Sequence, residues 1–235
     1  MSFDLRGQVV AIVANGPSGT GHGSEIDACN FVVRMNAWIT EGPLNAGRKV
    51  SALCGFCDGN HISSKGLTNG LEIPDWLKKR RDWELWCPIA AEGFLAAPTI
   101  ENVGDWKWLL TNADGRPMRL IGLSTVTKTA NYMKKMGAQF KFLSLGMACF
   151  SLTMALQPKR LHIWGYDATK FGLPTYDWAQ RKLTWVSAWH DFVTEKILIA
   201  EIVDKGTWLG EATTTKLVWH GRPKECPVLP RRTGA

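Results

Sequence analysis

A chain of 235 residues, 45% of them hydrophobic and 21% charged, is long enough to bury one sizeable core and short for two full domains. No stretch approaches 18 uninterrupted apolar residues, and the opening MSFDLRGQ lacks the basic and apolar regions of a secretory signal, so neither a membrane-spanning helix nor an export leader is expected. The net charge is +7, but residues 221–235 carry four basic side chains against one acid; the remaining mild basic bias favours an anionic ligand or surface without demanding nucleic acid.

Residues 8–14 (QVVAIVA) form a short continuous β-branched run, the mark of a strand buried on both faces of a parallel sheet. The pattern returns at 30–35 (NFVVRM), 49–56 (KVSALCGF), 83–90 (WELWCPIA) and 160–166 (RLHIWGY). Helical patterning falls between them, at 75–83 (DWLKKRRDW), 125–137 (TVTKTANYMKKMG) and 146–157 (GMACFSLTMALQ). A longer segment, 176–206, reads as two helices or one bent helix. Strands alternating with helices predict an α/β fold on a parallel sheet. Residues 60–73 read as an exposed loop, and the Pro- and Arg-containing segment 221–235 as a loosely attached basic tail behind one folded unit over 1–220. There is no internal repeat. Of the six cysteines only Cys54 and Cys57 make a C-x-x-C, and no second pair completes a zinc set, so buried free thiols in a reducing cytosol are expected.

Three segments have the residue types that chemistry needs. The first strand runs into NGPSGTGHGSEID (15–27), small residues and an amide side chain at the carboxyl edge of the sheet, where open α/β folds bind ligands. It is neither G-x-G-x-x-G nor a P-loop, since no G-K-[ST] follows, and a glycine-softened turn is its plain structural alternative. In FLSLGMACFSLTMALQPKRLHIWGYD (142–167), Ser144 is placed as an N-cap, and Gly146 lets a ligand approach the amides of the first helical turn; the alternative is an ordinary capped core helix. In 175–202, His190 and Glu195 are five apart, which suits a histidine near a helix start with Glu195 steadying the local structure. Histidine is the side chain best matched to removing a hydroxyl proton near neutral pH, although a packed histidine beside Trp189 is the alternative. His22, His61, His162 and His220 are read as structural or solvent-facing.

Together these segments resemble the sialyltransferases, particularly the animal-type family with its sialylmotifs and, more loosely, the bacterial enzymes. The large motif is matched by ANGPS (14–18), GHGSEID (21–27), NFVVRMN (30–36) and AGRKVS (46–51). The small motif is similar to SLGMACFSLTMAL (144–156) with LHIWGYD (161–167), the short aromatic motif to TYDW (175–178), and the H-x-x-x-x-E motif to His190 and Glu195. The resemblance implies a single-domain, Rossmann-like glycosyltransferase of GT-A-variant type, with a mostly parallel sheet flanked by helices and a catalytic domain over 1–220. It implies that Asn15, Gly16, Pro17, Ser18 and Asn36, joined by Ser144, Leu145, Gly146, Gly165 and Tyr166, hold the nucleotide of a CMP-activated sugar. His190 would be the catalytic base, and Tyr176, seconded by Tyr166, would steady the departing phosphate. The family disulfide is not matched, because ALQPKRLH (155–162) has no cysteine; a Cys29–Cys149 pair stays open as a geometric alternative. Absence of an anchor and stem agrees with a cytoplasmic bacterial or viral enzyme.

The chemistry implied is inverting transfer of a sugar, sialic acid in the family, to the hydroxyl of a glycan or other acceptor. A phosphate monoester leaves, which helix-end amides and a tyrosine hydroxyl can stabilise. No D-x-D occurs in the chain, so neither a metal nor another cofactor is expected. Two competing readings stay open. Residues 76–86 interleave four basic residues with Trp76, Trp83 and Trp86 and, with the tail, suit a nucleic-acid acceptor or an anionic membrane face; tryptophans packed inward are the structural alternative. A non-catalytic nucleotide-binding module is the other.

Overall fold

The computed structural model describes residues 4–14, 16–35, 46–54, 79–88, 118–121, 123–140, 143–166, 169–170, 173–176, 181–182 and 191–222. Seven strands build the main sheet: β1 (Val9–Val13), β2 (Phe31–Met35), β3 (Ala52–Cys54), β4 (Glu84–Pro88), β5 (Met118–Ile121), β6 (Arg160–Trp164) and, last in the chain, β12 (Lys216–Trp219). Their order is β12-β6-β1-β2-β3-β4-β5, and every pairing is parallel. The chain therefore winds outward from β1 to β5, then returns to the other side of β1 with β6. That reversal opens a crevice outside the carboxyl ends of β1 and β6.

Period-2 alternation divides the core. Val10 and Ile12 of β1 face one side with Phe31, Val33, Leu161, Ile163 and Leu217, while Ala11 and Val13 face the other with Val32, Ile26, Cys29 and Trp164. On the first side lie α2 (Leu123–Lys135), α3 (Leu145–Ala155) and α4 (Phe192–Lys205). In α3 every residue from Met147 to Met154 is buried; its hydroxyls are satisfied within the helix, Ser151 donating to the Met147 carbonyl at 2.7 Å and Thr153 to that of Cys149 at 2.9 Å. On α2, Val126, Ala130 and Met133 are buried while Lys128, Lys134 and Lys135 stay exposed, the apolar stripe of a surface helix. The second side is covered by the short α1 (Gly23–Asp27), and between α4 and β12 the strands β10 (Thr207–Trp208) and β11 (Glu211–Ala212) form an antiparallel hairpin.

Much of the large motif is structural. The Asp27 carboxylate accepts the backbone N–H of Arg48 (2.8 Å) and of Lys49 (2.8 Å). Fully buried Arg34 donates from Nε to the Lys49 carbonyl at 3.0 Å and sets its guanidinium 3.6 Å from Asp27. Burial pulls the Arg34 pKa down to about 9, against the upward pull of Asp27. Gly47 has φ +79°, and a Cβ there would run into the Asp27 carboxylate and the Gly23 carbonyl. The E-I-D stretch, Arg34 and the G-R-K stretch thus close on one another around a single carboxylate.

The expected strands at 8–14, 30–35, 49–56, 83–90 and 160–166 and helices at 125–137 and 146–157 are present, within the residues described. Four readings need correcting. The described end of the 75–83 helix, residues 79–83, is turn and bend: Arg80 pairs with Asp82 at 2.7 Å and Trp83 is buried, so side-chain pairing and burial set this stretch. Within the 176–206 segment the described residues give one helix, from Phe192 and capped by Asp191, and two strand pieces: Tyr176 ends β8 (Leu173–Tyr176), which pairs with β7 (Thr169–Lys170) and β9 (Arg181–Lys182) in a small antiparallel sheet, while 177–180 and 183–190 lie outside the described residues. Cys29 and Cys149 are free and buried in different clusters on opposite sides of the sheet, which excludes their disulfide. The glycine cluster at 19–24 runs into a helical turn, α1, and strands β5 and β12 were not anticipated. Among the described residues, no helix is long and apolar enough to cross a membrane. Residues 60–73 and 223–235 lie outside the described set.

Behind the sheet, His162 and His220 share a hydrogen bond of 3.0 Å, and His220 stacks on Trp164 with ring centroids 4.0 Å apart. Burial, with the neighbouring His220 and Arg160 charges, holds the His162 pKa down to about 4, and burial lowers that of His220 too.

Two outcomes test this packing. Asp27→Ala strands two backbone donors beside a buried arginine and is expected to destabilise the fold by about 3 kcal/mol in urea denaturation, whereas Glu25→Ala, on the exposed face of α1, shifts stability by less than about 0.5 kcal/mol. Because the folded state resists protonating His162 and His220, their contribution is complete above the ordinary histidine value of 6.5 and declines as pH falls toward 4. The urea midpoint should fall between pH 7 and 5, and less steeply in His162→Gln.

Candidate active site

The crevice between β1 and β6 is closed at its base by backbone. Beyond the end of β1, Ala14 N–H donates to the Trp164 carbonyl (2.9 Å) and Gly16 N–H to that of Gly165 (3.0 Å). Residues Pro17–Gly19 form a 3₁₀ turn, from which the Ser18 hydroxyl accepts the Gly165 N–H at 2.7 Å. Gly165 has φ +76°, and any Cβ there would overlap the Ala14 carbonyl. No other residue fits that position.

The next residue links the turn to α3. The Tyr166 hydroxyl donates to the Gly146 carbonyl at 2.8 Å, and its ring meets Phe150 edge-on with centroids 6.3 Å apart. A Cβ at Gly146 would lie 3.4 Å from that ring. Tyr166 is thus a strut between β6 and the start of α3, its hydroxyl proton already engaged; burial raises its pKa well above the usual phenol value.

At the start of α3, Ser144 is the N-cap, its hydroxyl oxygen accepting the Met147 N–H at 3.0 Å. The same hydroxyl donates its proton to Glu195 at 2.6 Å, and the Ser144 N–H donates to the other oxygen of that carboxylate at 2.8 Å. Glu195 is buried in the first turn of α4. Burial outweighs both hydrogen bonds and raises its pKa to about 7. One residue before α4, Asp191 caps it by accepting the Thr194 N–H (2.9 Å) and hydroxyl (2.9 Å), and takes a further N–H from Gln139 at 3.2 Å. The start of α4 is therefore fixed from two directions.

Hydrogen bonds and the short backbone steps between them thus join Gly16 and Ser18 through Gly165 and Tyr166 to Gly146, Ser144 and Glu195, with buried Leu145 as the first residue of α3. Of the residues expected at the site, Gly16, Pro17, Ser18, Ser144, Leu145, Gly146, Gly165 and Tyr166 belong to this one edge. Asn15, Asn36 and His190 lie outside the described residues, as does the side chain of Tyr176; the backbone of Tyr176 ends β8 in the connection from β6 to α4. The Ser144–Glu195 bond was missed as a long-range contact. Its signal was in the sequence: an acid in a strongly apolar helix needs a partner, and a serine cap is one. Among the described contacts no acceptor is found for the Leu145 and Gly146 amides, and amides at a helix start beside small side chains suit an anionic ligand. Among the described residues, no group of three or more His, Cys, Asp or Glu side chains is arranged to hold a metal ion.

No family model matches the sequence, and no curated protein does. Solved structures do match. A mammalian sialyltransferase superposes with a TM-score of 0.55 at 13% identity, covering 90% of this chain and 69% of that one. Its complex with Gal-beta-1-3GalNAc-ortho-nitrophenol gives 0.54 at the same identity and coverage. The sialyltransferase CstII from Campylobacter jejuni, in complex with the substrate analogue CMP-3FNeuAc, gives 0.51 at 14% identity over 91% of this chain and 80% of that one. The chain has the sialyltransferase fold. At these identities the likeness is one of architecture, a GT-A-like parallel sheet with flanking helices.

Tyr166→Phe keeps the ring and removes only the strut to Gly146. It should lower stability by about 1 kcal/mol in chemical denaturation.

Proposed function

We propose that this protein is an inverting glycosyltransferase that moves a sugar from a CMP-activated donor, sialic acid being the first candidate, to an acceptor hydroxyl on a glycan. One observation carries the reading: the turn after β1 and the serine-capped start of α3 meet at the sheet's switch point, and a buried carboxylate joins that cap to the helix that His190 precedes by two residues. The sialyltransferase fold supports it, as do the complexes of its structural neighbours with a CMP-sugar analogue and a disaccharide.

In this reading the nucleotide lies over Gly16 and Ser18, and Asn15 and Asn36 are assigned to hold it. The phosphate takes the Leu145 and Gly146 amides at the start of α3, where the helix dipole favours negative charge. A monoester leaving group has few charges to compensate, so helix amides and the Tyr176 hydroxyl serve without a metal. His190 takes the proton of the acceptor hydroxyl as its oxygen attacks the anomeric carbon from the face opposite the phosphate, and configuration inverts. General-base assistance of this kind is worth roughly 10²–10⁴-fold.

The nucleic-acid alternative loses part of its basis. Trp83 and Trp86 are buried, the Trp86 ring nitrogen donating to Glu84 at 2.8 Å, so neither ring is available to stack on a base.

Incubation with CMP-sialic acid and a panel of galactose-terminated acceptors should release CMP with formation of a sialylated product. His190→Ala should lower kcat by at least about 100-fold while leaving the Kd for CMP unchanged; near-normal turnover in that variant removes His190 from the role. Asn36→Ala should weaken CMP binding, and an unchanged Kd contradicts its assignment.

A further inference from the structure

The Ser144 hydroxyl has one proton, and two acceptors compete for it. In the structure that proton goes to Glu195 at 2.6 Å, while the serine oxygen accepts the Met147 N–H at 3.0 Å. So long as Glu195 is ionised it needs that proton, because its only other bond among the described contacts is the Ser144 N–H at 2.8 Å. An anion arriving at the start of α3 would then meet the serine oxygen's lone pairs and, behind them, a buried negative charge. Protonation of Glu195 reverses the direction of the bond. The carboxylic acid O–H donates to the Ser144 oxygen, its carbonyl oxygen still accepts the Ser144 N–H, and the serine proton is released to point outward.

We propose that binding of the nucleotide phosphate at the start of α3 is coupled to uptake of one proton by Glu195, with the Ser144 hydroxyl as the switching donor. This deepens the CMP-donor reading and rests on it. The proton comes from solvent and goes to a Glu195 oxygen; no covalent bond other than O–H forms or breaks.

The surroundings favour a neutral acid once an anion is bound. Among the described residues, the titratable groups acting on Glu195 are Asp191, which caps its helix, Lys196 beside it and Tyr166 after β6. Of these only Lys196 is a cation, and its effect is the smallest of those acting on Glu195, behind desolvation, the two Ser144 bonds and the repulsion of Asp191. Burial already holds the carboxyl pKa up to about 7, and a phosphate nearby raises it further. Glu195 is in this account a positioning residue, acting on the ligand through Ser144.

The test is calorimetric titration with CMP between pH 6 and 8.5, in two buffers of different ionisation enthalpy, on the wild type and on Glu195→Gln. The glutamine amide can donate to the Ser144 oxygen and accept its N–H, mimicking the protonated acid. The CMP phosphate itself titrates with a second pKa near 6, so the readout is the difference between the two proteins. Wild type should take up more protons on binding than Glu195→Gln and tighten about tenfold more as pH falls from 8.5 to 6, for a shift of about one pKa unit in the complex. If the variant does not fold, proton uptake by the wild type beyond what the CMP phosphate accounts for supports the coupling, and its absence overturns it. Identical pH dependence in the two proteins overturns the proposal and leaves the donor reading standing. Failure of the wild type to bind CMP at any pH overturns both.

Discussion

The carboxylate of Glu195, held by the backbone N–H and hydroxyl of Ser144, is the interaction on which the arrangement of the site depends. It spans 51 positions of sequence and joins two helix starts that would otherwise be independent. Each is fixed by its own N-cap, Ser144 for α3 and Asp191 for α4, but capping sets only where a helix begins. The buried pair sets where one start stands relative to the other. Two charge-assisted hydrogen bonds offset the desolvation of one acid only in part, as its raised pKa shows, so the contact is more informative about geometry than about stability.

The rest of the edge follows from close approach of backbone. Gly165, in a left-handed conformation against the Ala14 carbonyl, lets β6 end directly beside the turn that leaves β1. Ser18 accepts its N–H, and Tyr166 carries the connection on to Gly146. Two glycines and two hydroxyls hold two strands and a helix start together. The opposite side of the sheet has a separate support: Asp27, Arg34 and the 47–49 backbone hold the large-motif segments in register. Residues of one sequence motif therefore divide into those at the crevice and those that build the wall behind it.

Much of this was legible in the sequence. Buried parallel strands announce themselves by uninterrupted β-branched runs, and VVAIV and NFVV did so. The N-cap at Ser144 could be read from a serine ahead of an apolar helix. Less legible was anything decided by tertiary contact. KLVW in β12 is too short and too mixed for periodicity to register, and MRLI in β5 likewise. Lys-Arg-Arg-Asp resembled helix until Arg80 turned to its near neighbour Asp82. Aromatic residues at 83 and 86 left a stacking surface and inward packing both open, and burial of both rings decides for inward packing. Motif order pointed to the candidate site, but spacing alone could not distinguish Asp27 and Arg34, which hold the fold, from Gly16 and Ser18, which line the crevice. Glu195 was read as locally acting because its distant partner is invisible to any window of sequence.

The central claim is that the turn after β1 and the start of α3 together receive the phosphate end of a cytidine nucleotide. Amide hydrogen exchange measured with and without CMP tests it most directly. The account predicts added protection concentrated at residues 16–19 and 144–148, with little from the guanosine nucleotide at equal concentration. Protection confined to other segments, or equal protection by both nucleotides, would contradict it.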